Sequence, residues 1–318
     1  NHSLNYSYYN SDRDNYGPNS WDNYKSKGKR KSYIYKASRK LTDNYNFVGG
    51  IDFTEDEAVI SSNNKSSDLT GLFIENIFDV NNNLTVTVGA RQDSHSKFGD
   101  LSVYRGTFAL RRNNIIYRGS LGTGYRAPSL YELFANSFGN ENLKPETSQN
   151  IDLGIATSFL EDKMKIAGSI FTNTIKDRIA FSGGGYNQIT TEEKRQGIEI
   201  DIDYNISDRY DSKISYANIT DDDGDHVRKI PKNKLTYTLN SKISEKLKNV
   251  STLTYVSDLK DIVMLPDYNL INTKFTYRLD NDYYINFRVD NILNEQYQLV
   301  NNYATADRSF YIGIDGEF

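Results

Sequence analysis

The feature that most constrains this chain is strict two-residue alternation carried over unusually long segments. Along 198–206, Ile198, Ile200, Ile202, Tyr204 and Ile206 alternate with Glu199, Asp201, Asp203 and Asn205. Residues 271–279 repeat the pattern, with Ile271, Phe275, Tyr277 and Leu279 set against Asn272, Lys274, Thr276 and Arg278. From 283 to 293, Tyr283, Ile285, Phe287, Val289 and Leu293 oppose Tyr284, Asn286, Arg288 and Asp290. Successive side chains of a strand point to opposite faces, so this alternation means strand. The segments run about 9–13 residues, against about 5–6 for a typical globular strand and about 9–11 for a tilted membrane-spanning one. A face carrying three carboxylates in succession cannot sit in a dry core without partners. One face therefore meets water while the other meets something apolar.

Composition agrees. Tyr (25) and Phe (15) are abundant, yet charged residues make up 25% and the mean hydropathy is −0.67. A polar chain of that kind would suggest disorder, except that disordered chains lack aromatic and β-branched residues. No run of 18 apolar residues exists to make a transmembrane helix. A net charge of −4 makes nucleic acid a poor partner. The basic cluster from Lys25 to Lys31 is local and reads as a solvated loop. With no Cys, and His only at 2, 95 and 226, neither a disulfide scaffold, a zinc site nor a nucleophile–base pair can be assembled, so no enzyme is expected. The chain has no linker and reads as one domain, 1–318. It opens directly into strand-like sequence, which is expected of a chain whose N-terminal part lies elsewhere.

Sixteen strands are predicted, at 1–10, 32–41, 44–54, 68–79, 83–93, 101–111, 114–124, 148–160, 164–177, 194–206, 210–220, 233–243, 249–258, 268–279, 282–293 and 304–318. Seven short links, such as Ser207-Asp208-Arg209, alternate with eight long ones at 11–31, 55–67, 94–100, 125–147, 178–193, 221–232, 259–267 and 294–303. Short periplasmic turns and long outer loops distinguish outer-membrane barrels, whereas a soluble sandwich has no reason to sort loop length by end. The predicted fold is all-β, an antiparallel transmembrane β-barrel. In the last strand Phe310, Ile312 and Ile314 alternate toward Phe318, which resembles the assembly signal of such barrels; an ordinary closing strand is the alternative.

The segment Gly122-Thr123-Gly124-Tyr125-Arg126-Ala127-Pro128-Ser129-Leu130-Tyr131-Glu132-Leu133, followed by Gly139-Asn140-Glu141-Asn142-Leu143-Lys144-Pro145-Glu146-Thr147, resembles the most recognisable stretch of TonB-dependent outer-membrane receptors, with Glu141 where Pro is usual. Gly89 to Asp93, Tyr186-Asn187 with Gln196 to Glu199, and Val289 to Tyr297 are similar to further motifs of that family, in order. Loop lengths resemble the vitamin B12 receptor type. The resemblance implies about 16 strands of a 22-stranded barrel with a plugged lumen, the plug, the TonB box and the first strands lying outside this chain.

The resemblance also implies an outer-membrane monomer that contacts lipid, the barrel assembly machinery and, through the plug, the TonB complex. Its function would be energised uptake of a scarce nutrient, cobalamin or a ferric siderophore; the alternative is a passive porin-type channel, and a soluble β-protein is the third class. Candidate ligand contacts in the outer loops are Tyr125, Arg126, Tyr131, Phe134, Phe138, Tyr186, Tyr297 and Tyr303, because aromatic rings give large, rigid contact area; interfacial girdle is the other reading of each Tyr. Arg126 and Glu132 are alternatively braces of the long loop. Glu199, Asp201, Asp203, Lys274 and Arg288 would line the lumen and face the plug. No cofactor is expected, apart from calcium as a candidate at Asp221, Asp223 and Asp225, where a plain solvated turn is the competing reading. Gly119, Gly122 and Gly124 could be mistaken for a phosphate loop, but no helix pattern follows them, and bends in the wall suit them better.

Overall fold

The computed structural model describes residues 1–17, 24–60, 63–280 and 282–316. Nineteen strands and one short helix occur among them. The first strands are β1 (His2–Asn15), β2 (Tyr24–Thr42), β3 (Tyr45–Ile60), β4 (Asn63–Asn81), β5 (Leu84–His95), β6 (Gly99–Arg112) and β7 (Ile115–Arg126), then helix α1 (Leu130–Phe134). After it come β8 (Glu146–Phe159), β9 (Met164–Lys176), β10 (Arg178–Ser182), β11 (Gly185–Ile189), β12 (Glu193–Ser207) and β13 (Tyr210–Thr220). The remainder are β14 (Pro231–Lys242), β15 (Leu247–Lys260), β16 (Met264–Leu265), β17 (Tyr268–Arg278), β18 (Tyr283–Asp290) and β19 (Ser309–Gly316). Setting aside the separate β10–β11 hairpin and the two-residue β16 leaves the sixteen expected long strands. The seven short links fall where they were predicted.

The chain divides into two compact units. One comprises Asn1–Leu110, Arg118–Ile151 and Asn173–Glu193, the other Arg111–Tyr117, Asp152–Thr172 and Lys194–Phe318. In the first, β1 to β6 pair in sequence order, every neighbour antiparallel. In the second, β12 to β15 and then β17 to β19 do the same.

Register sorts the side chains of the second unit into two faces. Ile202, Ile214, Tyr237, Leu253 and Ile271 stand opposite one another across five strands, and Phe275, Phe287 and Ile312 across three. The reverse face carries Asp201, Ser215, Thr236 and Thr254 in one row and Thr238, Thr252 and Asn272 in another. Neither face is packed away: Ile200, Phe275 and Phe287 remain 38%, 36% and 42% exposed, and the Arg288 side chain 49%. Only eleven apolar residues are buried among the described residues. A soluble sandwich would hide its apolar face in a core; here that face is left open, as lipid contact requires. Val289, predicted for the apolar face, is the exception at 8% exposure.

Several links read from sequence as long loops are strand. Most of 11–31 and 55–67 is paired backbone, because β2 and β4 run to 19 residues each. At about 3.3 Å per residue such a strand spans roughly 60 Å, far beyond an apolar band of about 25 Å. The basic cluster Lys25 to Lys31 is therefore not a loop but the projecting part of β2. Its charges meet acids on both neighbours: Lys25 to Asp14 and Lys27 to Asp12 at 3.0 Å, Arg30 to Asp56 at 2.6 Å and Lys31 to Glu55 at 3.0 Å. Alternating charge let the ladder continue where apolar alternation stopped. The last strand also differs, starting at Ser309 rather than 304.

Candidate functional site

On the face of the first unit opposite Ile51, Phe53, Leu72 and Ile74, register places Asp52, Gly71 and Asp93 side by side on β3, β4 and β5. Arg91 lies two residues from Asp93 and points to the same face. Its guanidinium reaches across β4, donating to both oxygens of Asp52 at 2.6 and 2.9 Å and, through Nε, to Asp93 at 2.9 Å. The Tyr125 hydroxyl donates to the same Asp93 at 2.7 Å. Asp93 is 2% exposed and Asp52 8%. Gly71 makes this crossing feasible, because a Cβ there would fall on the Arg91 guanidinium and the Asp93 carboxylate.

One residue after Tyr125, a second ion-pair system roots the long loop. Arg126 donates Nε and Nη2 to the two oxygens of Glu146 at 2.7 and 2.9 Å, and Nη1 to Glu132 at 2.9 Å. Glu132 sits in α1, where Ser129 and Glu132 form a reciprocal capping box. Glu146 also accepts from the backbone N–H of Ile179 at 2.5 Å, tying in the β10–β11 hairpin. Beneath the loop Leu133, Leu143 and Ile179 are buried, with Phe98, Phe134 and Tyr186 packed against them. Gly139 closes the turn after α1 because a Cβ would meet the backbone of Leu133 and Ala135 at 2.6–2.8 Å. Tyr131 meets Tyr186 edge-on with ring centroids 6.2 Å apart, and Phe138 faces Phe181 at 5.8 Å. Lys65 and Lys97 place their ammonium groups 4.1 and 4.8 Å from the Phe134 ring centre. Between the root of this loop and the upper ends of β2 to β5 lies a cleft of about 800 Å³, lined by Arg30, Asp56, His95, Tyr125, Arg126 and Tyr131 among others.

Burial alone would raise the Glu132 carboxyl; the Arg126 guanidinium and the Ser129 backbone and hydroxyl donors outweigh it and hold that carboxyl below its ordinary 4.5. A lowered carboxylate stabilises above its unfolded value and ceases to as pH falls through the folded one. Proteolytic protection of loop 127–145 should therefore hold at neutral pH and fade below about pH 4.5. A Glu132→Gln variant should be cleaved faster already at pH 7, with a flatter pH profile; equal protection of both proteins at pH 7 would contradict the brace.

Residues 1–292 match the family described as TonB dependent receptor-like, beta-barrel. This chain belongs to that family. The vitamin B12 transporter BtuB of Vibrio cholerae is 23% identical to it over 326 residues, covering 94% of this chain and 52% of the relative. An iron-regulated outer membrane virulence protein of Vibrio cholerae is 23% identical over 288 residues, covering 77% and 44%. The chain thus spans about half the length of the curated relatives it matches. Among solved structures, a ferric enterobactin receptor of Pseudomonas aeruginosa aligns with a TM-score of 0.84 at 17% identity, covering 100% of this chain and 59% of that one. The copper transporter OprC aligns with a TM-score of 0.78 at 16% identity, covering 100% and 62%. These likenesses are of fold. The family places the chain in the outer membrane and among receptors rather than enzymes.

In this TonB-dependent receptor barrel the first unit gathers six of the eight outer-loop candidates. Tyr125 and Arg126 are engaged in the wall, Phe134 and Tyr186 are partly buried supports, and Tyr131 and Phe138 stay open at 42% and 44% exposure. Tyr297 and Tyr303 lie in the second unit, Tyr297 against Tyr268 at 4.7 Å and Tyr303 70% exposed. On the polar face Asp201 accepts from Ser215 at 2.6 Å and lies 3.5 Å from Lys213, while Glu199, Asp203 and Lys274 are exposed. Phe310, Ile312 and Ile314 are open on the last strand, and Phe318 lies outside the described residues. Asp221, Asp223 and Asp225 do not converge. Asp221 Oδ1 accepts from the backbone N–H groups of Asp223 and Asp225, Asp225 turns to His226, and no metal-sized group of acids and histidines occurs among the described residues. A helix does follow the glycines, contrary to the sequence reading, its signal being the Ser129-x-x-Glu132 cap. The Asp52–Gly71–Asp93–Arg91 network was not foreseen.

Proposed function

We propose that residues 1–318 are the barrel domain of a TonB-dependent transporter that carries a scarce nutrient, a cobalamin or a ferric siderophore, across the outer membrane into the periplasm. The observation that carries this reading is the cleft beneath the aromatic loop, on the face turned away from lipid, in a chain of this family. Tyr131 and Phe138 would touch ligand directly, with Tyr186, Phe134, Tyr125 and Arg126 holding them in place; Tyr297 and Tyr303, in the second unit, are separate candidate contacts. Relatives named as a vitamin B12 transporter and a ferric enterobactin receptor support the two ligand classes. A plug outside these residues would meet Glu199, Asp201, Asp203, Lys274 and Arg288 and pass force from the TonB complex. Phe310, Ile312, Ile314 and Phe318 would serve recognition by the assembly machinery.

Uptake of radiolabelled cyanocobalamin and of a radiolabelled ferric catecholate tests this in cells with and without the receptor gene, and with and without TonB. Uptake of one ligand that needs both genes is expected. Uptake that ignores TonB would favour a passive channel, and uptake of neither ligand would reject both nutrient classes.

A further inference from the structure

At the outer end of β5, His95 continues the row of Arg91 and Asp93, and its side chain turns to the same face. It stands opposite Leu69 of β4, and both line the cleft beneath the aromatic loop. Two contacts fix the imidazole. The backbone N–H of Lys97 donates to Nδ1 at 3.0 Å, and the Phe98 ring centre lies 4.9 Å away, tilted by 50°. Phe98 in turn packs against the buried Leu133, Leu143 and Ile179, so the imidazole is anchored to the core of the loop. A ring nitrogen that accepts from a backbone N–H carries no proton of its own. In the neutral ring the proton then sits on Nε2, because the hydrogen bond at one nitrogen sets the state of the other. Nε2 has no hydrogen-bond partner among the described residues. Its neighbours in the cleft are already committed. Arg30 gives Nε and Nη2 to Asp56 at 2.6 and 2.8 Å, Arg126 is held by Glu132 and Glu146, and the Tyr125 hydroxyl donates to Asp93.

We infer that His95 is a specificity-determining contact for the transported ligand: its Nε2–H donates to an amide carbonyl oxygen of that ligand and does not coordinate a metal ion. The inference rests on the transport reading and adds to it one residue and one bond. Coordination through Nε2 needs the proton moved to Nδ1, where it would point at the Lys97 N–H and leave that donor without its acceptor. With Arg30 and Arg126 already neutralised by carboxylates, a neutral acceptor suits this part of the cleft better than an anion.

Nitrogen NMR of the full-length receptor in detergent, with isotope-labelled histidine, reads the tautomer, and a His95→Phe sample assigns the signal. A protonated Nε2 and a bare Nδ1 are expected at neutral pH; the reverse overturns the inference. Calorimetric titration with cyanocobalamin and with ferric enterobactin reads the contact. The ligand that binds should do so about five- to tenfold more weakly in His95→Phe, which keeps a ring against Phe98 but cannot donate. His95→Gln, whose amide can donate, should recover part of that loss, and Lys40→Gln should change nothing. Equal affinity in His95→Phe, or a His95→Gln receptor no better than His95→Phe, overturns the inference. So does a loss of affinity that follows a lowered melting temperature in both His95 variants, because His95 then only props the loop. Uptake in the same strains separates the two readings. TonB-dependent uptake of a ligand that His95→Phe binds as well as wild type sinks only the His95 contact, whereas His95-dependent binding without TonB-dependent uptake sinks only the transport reading. Binding of neither ligand overturns the inference together with both nutrient classes.

Discussion

An arginine placed at Ile200 destabilises the folded barrel by about 2–4 kcal/mol, the cost of a cation on the lipid side at mid-membrane depth. Ile200 is central in β12, opposite Tyr216, on the face that also bears Ile202, Ile214 and Tyr237. The comparison that gives the result meaning is Glu199→Arg, one position earlier. That side chain points the other way, opposite Ala217, so the same cation meets water and shifts stability by no more than about 0.5 kcal/mol. Urea titration of the receptor refolded into lipid vesicles measures both. Equal losses for the two variants, or the larger loss at Glu199, would mean that the apolar face does not meet lipid.

The facing was legible because it needed only the period of two and one physical rule about carboxylates. Glu199, Asp201 and Asp203 declared their side by being undryable, and Ile198, Ile200 and Ile202 followed by parity. Strand ends were less legible for the same reason. The search for strands followed apolar alternation, and in β2 that alternation gives way to a basic run in which Lys25, Lys27 and Lys31 find their partners Asp14, Asp12 and Glu55 on neighbouring strands, pairings that appear only once register is known. A charged ladder and a charged loop have the same composition; pairing tells them apart.

The loop root was half legible. Arg126 and Glu132 stood six residues apart in a recognisable stretch, and bracing was one of their two readings. Glu146 lies 20 residues from Arg126 and enters only because the loop returns to the wall beside it. The sequence reading named Tyr131, Phe134, Phe138 and Tyr186 without ranking them; Phe98 and Phe181 pack with them as well, and exposure separates Tyr131 and Phe138 from the partly buried Phe134 and Tyr186. At the acidic turn the Asp221 carboxylate is spent on the backbone N–H groups of Asp223 and Asp225, and the Asp225 carboxylate turns to His226, an arrangement that spacing alone does not show.

Nothing in the sequence flagged Gly71, yet the second large effect centres on it. Removing Arg91 leaves Asp52 and Asp93 facing one another across the width of β4 without a counter-charge, and breaking a buried pair in this way costs about 3–5 kcal/mol. The lower half of that range is expected, because the Arg91 side chain keeps 29% exposure. Gly71→Ala should reproduce much of the loss without removing any charge, since the methyl group occupies the space the guanidinium crosses. The two changes should not add: once Arg91 is absent the added methyl has nothing to displace, and a double-mutant cycle will show coupling of at least about 1 kcal/mol. Tyr125 provides the local readout, because its hydroxyl depends on Asp93 and it adjoins Arg126, the last residue of β7, which braces the loop. Both single variants should therefore speed proteolysis at 127–145, while Lys40→Gln, in an exposed pair with Asp43, leaves it unchanged. Additive losses would mean that Arg91 and Gly71 act separately and that the crossing over β4 contributes nothing to the wall.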